Sequence, residues 1–181
     1  MITDAILESG MRFGPYPAGL CFYVEKSQTY KRIEEGVQIA EFLLLRQNAG
    51  SHPIVWIVEA KQSSPNPANP ADFKKYIDDI RSKLANAFLL TVAARLERHS
   101  APANELPASF QALDLQHTGF RFVLVINGHK EEWLPPVQEA LSLALKPVVK
   151  TWALPPTAVA VMNHTLAEQC GLVSPVAAQP Q

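Results

Sequence analysis

Ile54-Val55-Trp56-Ile57-Val58-Glu59-Ala60-Lys61 is the stretch on which the fold turns. Residues 53–61 read as a strand that is apolar on both faces, Trp56 and Val58 on one and Val55 and Ile57 on the other. Such a strand belongs in the middle of a sheet covered on both sides. It then ends in two charges, and an unpaired charge at the end of a buried strand is costly. Residues i and i+2 of a strand share a face, so Glu59 and Lys61 point the same way.

Upstream, residues 37–46 (Phe42 and Leu44 against Leu43 and Leu45) read as a second strand of the same kind. The loop between them centres near Gly50. A hairpin centred there sets Glu41 opposite Glu59, and a slip of one residue would turn that side chain to the other face. In the expected register two carboxylates lie side by side on a mostly apolar sheet. Lys61 offsets part of their repulsion, and a divalent cation would offset the rest. Oxygen donors without His or Cys suit Mg²⁺ or Mn²⁺. The expected ligands are Glu41, Glu59 and the Ala60 backbone carbonyl. A carboxylate-held metal beside a lysine is an arrangement for phosphodiester hydrolysis: the metal polarises the phosphate and acidifies a bound water. The lysine orients that water or stabilises the developing charge.

The rest of the chain frames this pair. Residues 3–11 read as a short helix, with Ile6, Leu7 and Met11 on one face. Residues 20–25 read as a strand and 31–36 as a turn. After a proline-rich stretch, Asn69 and Pro70 open a long helix in which Phe73, Ile77, Ile80, Leu84, Phe88, Val92 and Leu96 recur to about His99. Residues 100–118 are mostly loop with a helical turn near Phe110. A fourth strand spans 119–126, a helix 134–145, a short strand 150–152 and a further strand 157–162. Asn163 caps a last helix that Gly171 closes. This is an α/β protein with a mixed central sheet flanked by helices, one domain over residues 1–173, and a tail over 174–181 read as disordered.

The segments Val37-Gln38-Ile39-Ala40-Glu41-Phe42 and Val58-Glu59-Ala60-Lys61 together resemble the core of the PD-(D/E)xK nuclease superfamily, which includes many restriction enzymes. The resemblance covers about two-thirds of the chain. It implies a restriction-endonuclease-like core in the order α-β-β-β-α-β, here with C-terminal α/β elements added. It implies a Mg²⁺-dependent nuclease acting on DNA, in a bacterial or phage defence, restriction or repair system. Glu41 takes the place of the family's Asp, without a preceding Pro; Glu59 and Lys61 match the (D/E)xK directly. Several members add a Glu from the first helix, for which Glu8 is the candidate. Some carry Gln-x-x-x-Tyr on the long helix; Asp72 stands for that Gln, so Tyr76 alone is carried over.

Blander readings stand beside these. Glu41, Glu59 and Lys61 also fit a structural ion-pair cluster. Glu25 is a further acid of the site or a surface residue. Gln62, Ser63 and Ser64 bond phosphate oxygens or make a turn. Lys74, Lys75, Arg81 and Lys83 track a nucleic-acid backbone or form a solvated helix face. His129 reaches a phosphate or sits in an exposed loop.

Composition bounds the rest. The 181 residues carry 16 Lys+Arg and 17 Asp+Glu, a net charge of −1, which excludes a generally basic nucleic-acid coat. Cys21 and Cys170 are too few for a disulfide framework or zinc cluster and read as buried thiols. No two His stand at i, i+4, and no phosphate-loop or dinucleotide motif occurs. The start of the chain lacks a signal-peptide pattern and no apolar run suits a membrane span, so a soluble cytoplasmic protein is expected. A domain of this size covers little DNA, so a homodimer or a subunit of a larger complex is expected. The alternative functions are an inactive interaction subunit that keeps the fold, and a binder of a small anion anchored by Lys61.

Overall fold

The computed structural model describes residues 2–47, 50–99 and 105–175. Seven strands and five α-helices follow in chain order: β1 (Ile6–Glu8), β2 (Met11–Phe13), β3 (Cys21–Phe22), α1 (Gln28–Lys31), β4 (Phe42–Arg46), β5 (Ile54–Lys61), α2 (Pro70–Arg95), α3 (Ala108–Gln111), β6 (Gly119–Ile126), α4 (Leu134–Thr151), β7 (Val159–Asn163) and α5 (His164–Gln169). β5 is the central strand of a five-stranded sheet ordered β3-β4-β5-β6-β7. It pairs antiparallel with β4 and parallel with β6; β3 adds antiparallel to β4 and β7 parallel to β6. The connections dictate the mixture, because a short loop permits only the antiparallel pair while the parallel one needs a crossover, here α2.

Both faces of β5 are covered, as its sequence requires. Leu43, Leu45, Val55, Ile57, Phe122 and Leu124 pack beneath α2 and α4, against Ile80, Leu84, Phe88 and Leu141. Phe88 lies edge-on to Phe120 and Phe122, with centroids 4.8 and 5.8 Å away. Phe42, Leu44, Trp56, Val58, Val123 and Val125 face the other way, against Ile6, Met11 and Phe13 of β1 and β2 and against Leu172. Each such side chain removed from water contributes about 1.5–3 kcal/mol.

Several expectations need correction. Residues 3–11 are not a helix: β1 and β2 form an antiparallel hairpin pairing Ile6 with Phe13 and Glu8 with Met11. Ser9 and Gly10, with φ of 50° and 74°, make its two-residue turn, and positive φ at both positions suits the twist of the strands. The strand expected over 20–25 is only β3, because the chain turns into a 3-10 helix at Val24–Lys26. The strand expected over 37–46 begins at Phe42. Residues 150–152 are not a strand; α4 runs through Thr151. Asn69 precedes α2 without capping it, since its amide donates to the Asp72 carboxylate at 2.5 Å. Asn163 does cap α5, accepting from the Leu166 N–H at 2.9 Å, and Gly171 follows at φ 64°. Of the tail, Ser174 is tied down, its N–H donating to the Arg12 carbonyl at 2.8 Å; residues 176–181 lie outside the described residues. Neither cysteine is a fully buried thiol: Cys21 is half-buried and Cys170 exposed. Among the described residues no helix is long and apolar enough to cross a membrane.

Candidate active site

The hairpin of β4 and β5 has the expected register, with Phe42 opposite Val58 and Leu43 opposite Ile57. Glu41 therefore stands one residue beyond the last pair, beside Glu59. Its backbone is fixed on both sides: its N–H donates to the Val58 carbonyl at 3.1 Å, and its own carbonyl accepts from the Glu25 N–H at 3.2 Å. The second bond brings Glu25 alongside, from the 3-10 helix after β3 and not from a strand. Glu8 arrives from β1, not from a helix. The alternation along β1 turns Ile6 and Glu8 inward and leaves Leu7 74% exposed. Glu8, Glu25 and Glu41 present carboxylate oxygens all within 4.8 Å of one another.

Glu41 and Glu59 are 5% and 0% exposed, so their charges are out of water. Glu59 Oε1 meets two ammonium groups, Lys61 Nζ at 2.5 Å and Lys83 Nζ at 2.9 Å. Oε2 of Glu59 and Oε2 of Glu41 are buried without any hydrogen-bond partner. Burial, reinforced by the charges of Glu59, Glu25 and Glu8, pushes the Glu41 carboxyl up to about 8. Burial works against the Lys83 ammonium, but Glu59, Glu41 and Glu25 outweigh it and hold Lys83 above its ordinary range. The Tyr23 hydroxyl donates to Glu8 Oε1, and burial with that bond raises the phenol. The Lys26 ammonium lies 3.3 Å from Glu25.

Lys83 departs from expectation. It is not on the solvated face of α2 but turned to the sheet, its side chain 20% exposed. The signal lay in the helix spacing, which puts residue 83 on the same side as Ile80 and Ala87, both buried. Lys74 and Lys75 do lie on the solvated face, paired with Asp78 and Asp79 at 2.5 and 2.7 Å. Tyr76 lies on the inner side of α2; its hydroxyl is buried without a partner, and burial and the Glu59 charge raise it. Ala60 sits within the β5–β6 ladder opposite Val125, its side chain in the core of the other face. Gln62, Ser63 and Ser64 leave the acids and line a cleft at the ends of β5 and β6, where His129 Nε2 lies 3.5 Å from Ser64 Oγ.

The donor set fits a hard divalent cation. It is all oxygen, several of its carboxylates converge, and two buried oxygens have nothing to bond. Glu41, Glu8 and Glu25 would hold such an ion, with the free oxygen of Glu59 on the neighbouring strand. No family model, curated protein or solved structure matches the chain.

Proposed function

We propose that the protein is a metal-dependent nuclease that hydrolyses DNA phosphodiester bonds at this sheet end, using Glu41, Glu59 and Lys61 with Mg²⁺ or Mn²⁺. The observation that carries this reading is the pair of buried, unpartnered Oε2 atoms on Glu41 and Glu59 beside the Lys61 ammonium. Buried polar atoms are ordinarily satisfied, so two orphaned carboxylate oxygens on neighbouring strands favour a cation over a closed ion-pair cluster. The connectivity supports the same reading: an antiparallel β3-β4-β5 meander, the α2 crossover and parallel β6 follow the order the PD-(D/E)xK resemblance implies. The β1–β2 hairpin stands where that order has its first helix, yet it still supplies Glu8.

A bound divalent ion would polarise the scissile phosphate and acidify the attacking water. The chain's own groups do the remainder. Glu59 Oε1 holds the Lys61 ammonium at 2.5 Å, on the carboxylate whose other oxygen is unpartnered. Lys83 shares that same Oε1 at 2.9 Å, so the Glu59 charge keeps a partner when the Lys61 ammonium turns to orient water or to meet charge developing on phosphate. Tyr76 offers a free hydroxyl beside Glu59 as a further positioning group. Cytoplasmic action in a defence, restriction or repair system, and work as a homodimer or within a larger complex, belong to the same proposal.

The test is nicking of supercoiled plasmid with Mg²⁺, Mn²⁺ or EDTA, run beside Glu59→Gln. Metal-dependent nicking that Glu59→Gln abolishes supports the reading. A wild-type protein that folds, binds Mn²⁺ and nicks nothing would leave the inactive interaction subunit as the better account.

A further inference from the structure

One residue past Lys61 the chain enters a cleft of about 610 Å³ at the C-terminal ends of β5 and β6, a volume in the range of small-molecule sites. Its lining is unlike the acid cluster beside it. Gln62, Asn66 and Asn127 contribute amides, Ser64 a hydroxyl, and His129 and Trp133 their rings. The Trp133 indole is 48% exposed, a large aromatic surface left in water. It is held in place, with the His129 ring at 73° and 5.5 Å and Lys130 Nζ 5.0 Å from the ring centre. His129 Nε2 also lies 3.3 Å from the Trp133 carbonyl oxygen.

The charges say what the cleft does not take. Among the described residues its lining holds no Lys or Arg and one carboxylate, Glu132, and the Lys130 ammonium lies over the Trp133 ring, so the lining itself offers a phosphate no cation. Its chemistry is that of a neutral, planar, hydrogen-bonding group: an aromatic face to stack on, and amides that both donate and accept. Such a group next to a phosphate-cleaving lysine is a nucleobase. Resting on the nuclease reading, we infer that the cleft receives the base of one unpaired nucleotide beside the scissile phosphate, stacked on Trp133. Gln62 and Asn66 meet its edge. A base inside a duplex cannot enter unless it leaves the stack, so the cleft favours single-stranded or frayed DNA.

The test is a single-stranded oligonucleotide carrying 2-aminopurine, and the same strand in a duplex, titrated with the full chain in Ca²⁺. Mg²⁺ cleavage of both is recorded separately. The wild type should quench the single-stranded probe and bind it more tightly than the duplex. Trp133→Ala should weaken single-strand binding about 10-fold or more and abolish the quench, the scale of one lost stacking partner. Trp133→Phe should keep both, and the exposed Gln62→Ala should weaken binding without removing the quench. Wild-type affinity and quench in Trp133→Ala overturn the inference; if Mg²⁺ cleavage persists there, the nuclease reading survives it. Trp133-dependent quenching in a protein that cleaves nothing keeps the cleft and removes the nuclease. A wild type that binds neither probe overturns the inference outright.

Discussion

Glu41 carries an unusual load for a single side chain. It is buried against three other carboxylates, and its acid form is favoured up to about pH 8. In the unfolded chain it ionises near its ordinary value of 4.5. Between those values the unfolded state sheds a proton that the folded state keeps, so this group lowers stability as pH rises from about 4.5 to about 8. Glu41→Gln removes the liability together with a proposed metal ligand. Without metal, its melting temperature should match wild type near pH 4.5 and exceed it increasingly towards pH 8, while nicking is lost; a large loss of melting temperature would favour a structural ion pair. Lys61 makes the complementary case. An ammonium that acts on the transition state contributes to rate more than to binding. Lys61→Ala should slow single-turnover cleavage by about 10²-fold or more with little loss of DNA affinity in Ca²⁺. Lys61→Arg should not restore the rate, since a planar fork is no substitute for a compact charge. Strongly weakened binding with a normal saturated rate would make Lys61 a ligand anchor.

At the scale of elements, the site is a meeting of five segments at one end of the sheet (β1, the 3-10 helix, the approach to β4, β5 and α2), and each can be loosened separately. Lys83 ties α2 to β5 through Glu59 at 2.9 Å. Lys83→Met should destabilise the fold by about 1–3 kcal/mol in urea unfolding, the cost of leaving a buried charge short of a partner; an unchanged midpoint would mean that Lys61 alone satisfies Glu59. The hairpin tip is equally specific. Gly10 has φ 74°, and a Cβ there would stand 2.8 Å from the Asn127 amide nitrogen, the group that donates to the Ser9 carbonyl at 3.0 Å. Gly10→Ala should cost about 1–2 kcal/mol of strain and weaken Mn²⁺ binding by displacing Glu8, leaving the Lys61–Glu59 pair in place. The long elements were legible from sequence because they repeat their pattern: β5, β6 and α2 each give eight or more residues to count. The register of β4 on β5 followed from the loop near Gly50 and β5's two-sided apolarity. The hairpin is not legible in the sequence because three-residue strands have no period to count, and Ile6, Leu7 and Met11 fit a helix face as well as a strand. Ser9-Gly10 was the turn signal between them.

For the whole molecule, the sheet concentrates charge at one end and leaves the rest to apolar packing. Glu8, Glu25, Glu41 and Glu59 come from residues far apart in sequence, and only Glu41 and Glu59 could be paired from sequence, because a hairpin is local. Glu8 and Glu25 join through the tertiary path: the β1–β2 hairpin packs on the sheet's other face, and the chain then enters the sheet as β3. Lys83 joins through the crossover helix. What the assembled end lacks is positive charge: four carboxylates face Lys61 and Lys83, which share one oxygen of Glu59, and Lys26 beside Glu25. Mn²⁺ titration by calorimetry at pH 7, in two buffers of different ionisation enthalpy, shows whether a cation fills that deficit. If a cation fills it, one ion binds per chain, Glu41 releases a proton on binding, and a folded Glu41→Gln does not bind. No binding by the wild type, or an isotherm that Glu41→Gln leaves unchanged, would contradict it.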